Sequence, residues 1–282
     1  MRHRDSITLL VELYKSEFSQ RNEEFSKVLQ KNIECEYIDS IIVFADKDVS
    51  LCKDQKITRI PTKKRMTYAD YFTYCNNNFC ENTIYIIANN DIYFDNTLAQ
   101  LEGIKEDYFV CLTRWNTYDS ETEIQGHEAF SQDVWAFRKK IPEEMINTSF
   151  FYQGTQCCDN HICFLAIVNN FKVINPCHLI KSYHVHQGAE QRTYDIKHRE
   201  IYNTMLLSTV DPSDSLEYNS KNVGSFFSMN DNSMNGAGRL CSDYYIQYIQ
   251  QVYQETFKLK LLKYNKLKKE HKDKPMVKHV SF

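Results

Sequence analysis

The sequence predicts an α/β domain with a mixed, mostly parallel central sheet flanked by helices and a helical C-terminal extension. Three observations carry this. Apolar runs of strand length alternate with helix-period segments through the first hundred residues. At 282 residues with 42% hydrophobic side chains, the chain can bury a sizeable core. The apolar run TIYIIA (83–88) ends abruptly in Asn89, Asn90 and Asp91. In open α/β sheets, ligands bind beyond the carboxyl ends of the strands, which is where those three residues would sit.

The elements follow in order. ITLLV (7–11) reads as a strand, and SEFSQRNEEFSKVLQKNI after it places Phe18, Phe25, Val28 and Leu29 on one helical face. YIDSIIVFAD gives a second strand ending in Asp46. In MTYADYFTYCNNNF, Thr67 and Asp70 form a capping-box start, and Tyr68, Tyr71, Phe72, Cys75 and Phe79 line one side of a helix. The strand into Asn89 completes a strand-helix-strand-helix-strand unit. FVCLTRWN and QDVWAFR read as two more strands. CCDNHICFLAIVNN reads as a helix with Asp159 at its N-cap, followed by the short strand FKVIN, which Pro176 stops, and by a last strand. If residues 178–186 are extended, His178, Ile180, Ser182, His184 and His186 share one face. His184 and His186 then lie about 6.6 Å apart along the strand. DPSDSLEYNSKNVGSFFSMNDNSMNGAGRL reads as a long loop or lid, and the chain from Cys241 as a lysine-rich helix. This divides the chain into residues 1–110, 111–190 and a terminal extension, 191–282.

Composition narrows the function classes. A net charge of −3 gives no global attraction to nucleic acid. Ten cysteines without a CxxC pair, in a chain too large to need disulfide staples, read as reduced thiols of an intracellular protein. The five-residue apolar run before Glu12 is too short for a signal-peptide core, and no stretch approaches the roughly 20 apolar residues of a spanning helix. The expected location is the cytoplasm, with attachment to the cytosolic face of a membrane left open.

Several residues have both a structural and a chemical reading. Asn89-Asn90-Asp91 is ordinary turn chemistry after a strand, and equally a carboxylate placed to hold a hard divalent cation. Asp95 caps the following NTLAQL segment. Two histidines on one strand face, His184 and His186, are structural residues or metal ligands. Asp159 is an N-cap or a general base. Lys64 and Arg65 form a solvated basic turn or meet a phosphate at a helix N-terminus. Trp115 and Trp135 are core or sugar-stacking surfaces.

The order of these pieces resembles the glycosyltransferases of the GT-A (Rossmann-like) fold, the nucleotide-diphospho-sugar transferases. In that family the strand carrying the DxD motif is matched by TIYIIANND, the xED element by CCDN with its helix, and the late metal-holding histidine by YHVH. The chain is most similar to small bacterial, plant and viral members carrying TYAD, NxDIYFD, LTRW, QDxWxF, CDN and YHxH in this order, over roughly residues 5 to 190. Two positions depart from the pattern: Asn89 stands where the first Asp of DxD is usual, and Cys158 where the xED Glu is usual.

The resemblance implies a donor half (1–110) and an acceptor half (111–190) of one domain. Asp91, His186 and His184 hold Mn2+ or Mg2+ on the donor diphosphate. Asn89, Asn90, Asp46, Lys64, Arg65, Tyr68 and Asp70 lie on the donor side, and Trp115, Asp133 and Trp135 on the acceptor side. Asp159 takes the acceptor proton in a single displacement with inversion. The implied partners are a nucleotide-diphosphate sugar and a glycan or glycolipid acceptor, with no nucleic acid. Nine lysines against two acids between residues 258 and 278 suit docking on an anionic membrane, a solvated helix end or a homodimer contact. Two other classes stay in view. A sugar-nucleotide pyrophosphorylase usually carries a Gly-rich loop after its first strand, and LVELYKSEF has no glycine. A non-catalytic carbohydrate- or nucleotide-sugar-binding protein would fit Asn89 and the missing Glu.

Overall fold

A computed structural model of the protein describes residues 4–118, 121–124, 129, 131–155, 157–185, 206–224 and 227–228. The chain runs β1 (Ser6–Leu13), α1 (Ser19–Glu34), β2 (Ser40–Ala45), β3 (Ile57–Pro61), α2 (Tyr68–Asn77), β4 (Thr83–Ala88) and β5 (Ile92–Phe94). After a 3-10 segment at Asn96–Gly103 come β6 (Tyr108–Thr113), β7 (Trp115–Tyr118), β8 (Glu121–Ile124) and β9 (Gln132–Phe137). Then follow α3 (Glu143–Ile146), α4 (Cys158–Val168), β10 (Lys172–Ile174), β11 (Ser182–Val185), and the two-residue strands β12 (Leu206–Leu207) and β13 (Phe227–Ser228).

Seven strands form the main sheet in the order β10-β6-β9-β4-β1-β2-β3. All its pairings are parallel except those of β9, which runs against both β4 and β6. The sheet is therefore mixed and mostly parallel, as the sequence predicts. Both faces are covered, which explains why its strands read as continuous apolar runs. In β4, Tyr85 and Ile87 join the cluster with Phe72, Trp135 and Phe164, while Ile84, Ile86 and Ala88 join Phe25, Leu29 and Ile41 on the opposite face.

Helix α2 begins as its sequence dictates. Thr67 accepts from the Asp70 backbone N–H, and the Asp70 carboxylate accepts from the Thr67 N–H. Thr67→Ala is expected to lower stability by about 1 kcal/mol, seen as a lower midpoint in urea with an unchanged slope.

Four expectations are corrected. Phe18 does not join the buried face of α1; it sits at the N-cap, 47% exposed, because the helix starts only at Ser19. The N-cap of α4 is Cys157, in the left-handed region at φ 61°, so Asp159 lies inside the first turn. The last strand starts at Ser182, because the chain turns at Pro176, where the Leu179 and Ile180 N–H groups both bond its carbonyl. His178 is accordingly off the strand and exposed. Part of the expected loop is docked rather than free: Val223 is buried in the core and pairs through a β-bridge with Val210, just ahead of the loop, and the Ser213 N–H donates to the Asn175 carbonyl. Gly224 is required there, since a Cβ would come within 1.7 Å of Thr209 Oγ1. The lysine-rich segment lies outside the described residues. Among the described residues, no helix is long and apolar enough to cross a membrane.

A second, four-stranded sheet was not foreseen. Its order is β5-β11-β7-β8, with β11 antiparallel to β5 and parallel to β7. It brings His184 opposite Ile92, next to Asp91, and opposite Asn116.

Candidate active site

The carboxyl edge of the main sheet gathers the polar side chains that the core excludes. At the end of β4, Asp91 is 4% exposed. Its Oδ2 accepts from Arg21 Nη2 at 2.6 Å and lies 3.3 Å from His184 Nε2. Arg21 comes from the first turn of α1 and gives its other terminal nitrogen to Glu24 Oε2, also at 2.6 Å. Burial alone would raise the Asp91 pKa, but His184 and Arg21 outweigh it and hold the carboxyl far below the usual range. Burial would likewise lower Arg21, and the two carboxylates more than restore its charge. His184 Nδ1 is 3.0 Å from Asn116 Oδ1. An amide oxygen there accepts the Nδ1 proton and turns Nε2 toward Asp91.

A second group adjoins the first. Asn89 donates from Nδ2 to Asp133 Oδ1 at 2.7 Å, and Arg114 Nη1 donates to Asp133 Oδ2 at 2.7 Å. Because β9 is antiparallel, the start of that strand meets the end of β4, and the Asn89 N–H bonds the Asp133 carbonyl. Asp159, half-buried in the first turn of α4, has its pKa raised to about 7. Burial is the main cause and the Asp133 charge the second, opposed by backbone N–H groups and Arg114. At the end of β1, Glu12 is also raised to about 7, mainly by burial and against the pull of Arg65. Its Oε1 accepts from the Met66 N–H.

The structure thus brings together Asn89, Asp91, Asp133, Asp159 and His184. Asn90 is half-buried beside them, and His186 lies outside the described residues. Lys64 and Asp70 pair with each other at 2.6 Å at the start of α2. Arg65 donates to the Gln153 carbonyl and stacks over Tyr152. Asp46 is exposed at the end of β2 and accepts from the Lys47 N–H.

Two expectations on aromatic residues are corrected. Tyr68 is fully buried against Trp135 and Phe151, so it offers no surface to a donor. Trp135, equally buried, is core and not a sugar-stacking surface. Trp115 is half-buried, its indole N–H bonded to the Cys177 carbonyl and its ring covered by Lys181.

Sequence reasoning missed Arg21, Glu24, Arg114, Asn116 and Glu12. Arg114 lies in LTRW, and the i,i+3 spacing of Arg21 and Glu24 was a signal for that pair.

The residues fit a divalent cation. Asp91 Oδ1 is buried and makes no hydrogen bond among the described residues, which satisfy its neighbour Oδ2. A carboxylate oxygen next to an imidazole nitrogen suits Mn2+ or Mg2+. Among the described residues no group of three or more His, Cys, Asp or Glu could hold a metal, so Asp91 and His184 would share it with ligands from elsewhere. A Mg2+ that travels with a diphosphate needs only one or two protein ligands.

No family model and no curated protein matches the chain. Solved structures to which the chain is similar include the mannosyltransferase PcManGT from Pyrobaculum calidifontis in complex with GDP-Man and Mn2+. It is 14% identical with a TM-score of 0.43, over 68% of this chain and 59% of that one. GalNAc-T7 with UDP, GalNAc and Mn2+ is 9% identical with a TM-score of 0.43, over 67% of this chain and 46% of that one. 4-Diphosphocytidyl-2C-methyl-D-erythritol synthase from Anaerococcus prevotii is 13% identical with a TM-score of 0.33, over 50% of this chain and 75% of that one. The chain therefore spans less than two thirds of the two transferases.

Proposed function

We propose that the protein is a metal-dependent, inverting glycosyltransferase that moves a sugar from a nucleotide-diphosphate donor to a hydroxyl of a glycan or lipid-linked saccharide. The observation that carries this reading is the pair of unlike carboxylates at one sheet edge. Asp91 is held ionised by Arg21 and His184. Asp159 is raised to about 7, where it can accept a proton near neutral pH. Environments that push two carboxylates apart in this way assign them different tasks.

The donor diphosphate would be held at Asp91 and His184, with His186 as a further ligand and Asn89, Asn90, Lys64, Arg65 and Asp46 on the donor side. Bound Mn2+ or Mg2+ would supply charge compensation to the departing diphosphate. Asp159 takes the proton of the acceptor hydroxyl as its oxygen bonds to the anomeric carbon. The bond from that carbon to the diphosphate oxygen breaks, its electron pair leaving with the diphosphate. A single displacement inverts the configuration. Asp133, fixed by Asn89 and Arg114, orients the acceptor side together with Trp115. Residues 1–110 would form the donor half and 111–190 the acceptor half, with the lysine-rich segment available to an anionic membrane or a second copy.

The test is incubation with a panel of UDP-, GDP- and dTDP-sugars and Mn2+, and in parallel with nucleoside triphosphates and sugar phosphates, following the leaving group. Release of nucleoside diphosphate from one donor, with inverted configuration at the sugar, is expected. Release of pyrophosphate from a nucleoside triphosphate and a sugar phosphate would instead favour nucleotidyl transfer. No turnover with unchanged donor binding would favour a binding protein.

A further inference from the structure

Arg21 is held by Glu24 at 2.6 Å, by Asp91 at 2.6 Å, by a hydrogen bond with the Tyr14 side chain, and by the Phe25 ring, 4.8 Å from the guanidinium carbon. Its side chain is 11% exposed. This has a geometric and an electrostatic consequence. Asp91 gives Oδ2 to Arg21, so Oδ1 is the oxygen left for a cation. A bare divalent ion arriving at Oδ1 also meets a fixed positive charge on the other oxygen of the same carboxylate, in a site with little water to screen it. It would find Asp91 and His184 as ligands, where a hard cation of this kind wants about six. A cation that arrives with phosphate oxygens brings both the missing ligands and the charge that Arg21 favours.

Resting on the transferase reading, we propose that Arg21 is a positioning residue that makes the site take its divalent cation only together with the donor diphosphate. It holds Asp91 in a one-oxygen presentation and opposes entry of the cation alone. Glu24 sets the strength of this gate by drawing off part of the guanidinium charge through the other terminal nitrogen.

The experiment is binding of Mn2+ to the full chain, read by the loss of the free-ion signal in electron paramagnetic resonance, with Mn2+ alone and with saturating UDP or GDP. In the wild type, one of the two nucleotides is expected to tighten Mn2+ binding by about ten-fold or more. Arg21→Gln should gain affinity for Mn2+ alone and shrink that ratio. Glu24→Gln, which leaves the whole guanidinium charge on Asp91, should weaken Mn2+ alone and enlarge it. The second variant decides the matter if the first does not fold. Equal Mn2+ binding with and without nucleotide in the wild type, or a ratio unmoved by the variants, would overturn the role of Arg21 while leaving Asp91 as a metal ligand. No Mn2+ binding under any condition would overturn both.

Discussion

Asp159→Asn is expected to lower turnover by about 10³-fold, in the middle of the range for loss of a general base, while leaving donor affinity unchanged. The two readings of Asp159, helix residue or base, differ in the sign of a second effect. Burial raises its pKa in the folded protein from the ordinary 3.8 to about 7, so its charged form is disfavoured in the folded state. Its contribution to stability is fully present below the unfolded pKa and is lost as pH rises through about 7. Asparagine carries no charge and should therefore equal or exceed the wild type in thermal midpoint at pH 8. A residue serving only the helix start would lose stability on replacement. Turnover of the wild type should rise with pH through a midpoint near 7, because the base must be ionised. A pH profile of turnover and thermal melts at pH 5 and pH 8 check both effects.

Asp91→Ala carries the other large effect. Removing one partner of a buried ion pair costs about 3–5 kcal/mol. Glu24 remains on Arg21, which places the expected loss at the low end, about 3 kcal/mol. The pH dependence has the opposite sign to that of Asp159. The Asp91 pKa is depressed in the folded protein, so its contribution is present above the unfolded carboxylate range and is lost as pH falls below it. The variant should show a smaller fall in stability than the wild type between pH 6 and pH 3, measured by denaturant unfolding at each pH. It should also lose metal-dependent donor binding.

Much of the main sheet was legible because its strands are buried on both faces and its α2 helix is marked by Thr67 and Asp70. The small sheet was not. Its strands β5, β7, β8 and β11 have three or four residues each, too few to display a period. The site followed the same division. Asp91, Asp133, Asp159 and His184 were visible as polar residues at element ends. Their partners were not, because Arg21 and Asp91 are 70 residues apart and no spacing rule joins them. Tyr68 and Trp135 sit in motif-like stretches, yet they pack on each other in the core. An aromatic side chain beside a site motif has no sequence mark that separates packing from binding.

The central claim is that Asp91 anchors a cation-dependent donor site. The most direct test is calorimetric binding of UDP-, GDP- and dTDP-sugars to the wild type and to Asp91→Ala, each with and without Mn2+. Micromolar binding of one donor that requires Mn2+ and disappears in the variant is expected. Binding of that donor unchanged by metal and by the substitution, or no binding of any donor, would contradict the claim.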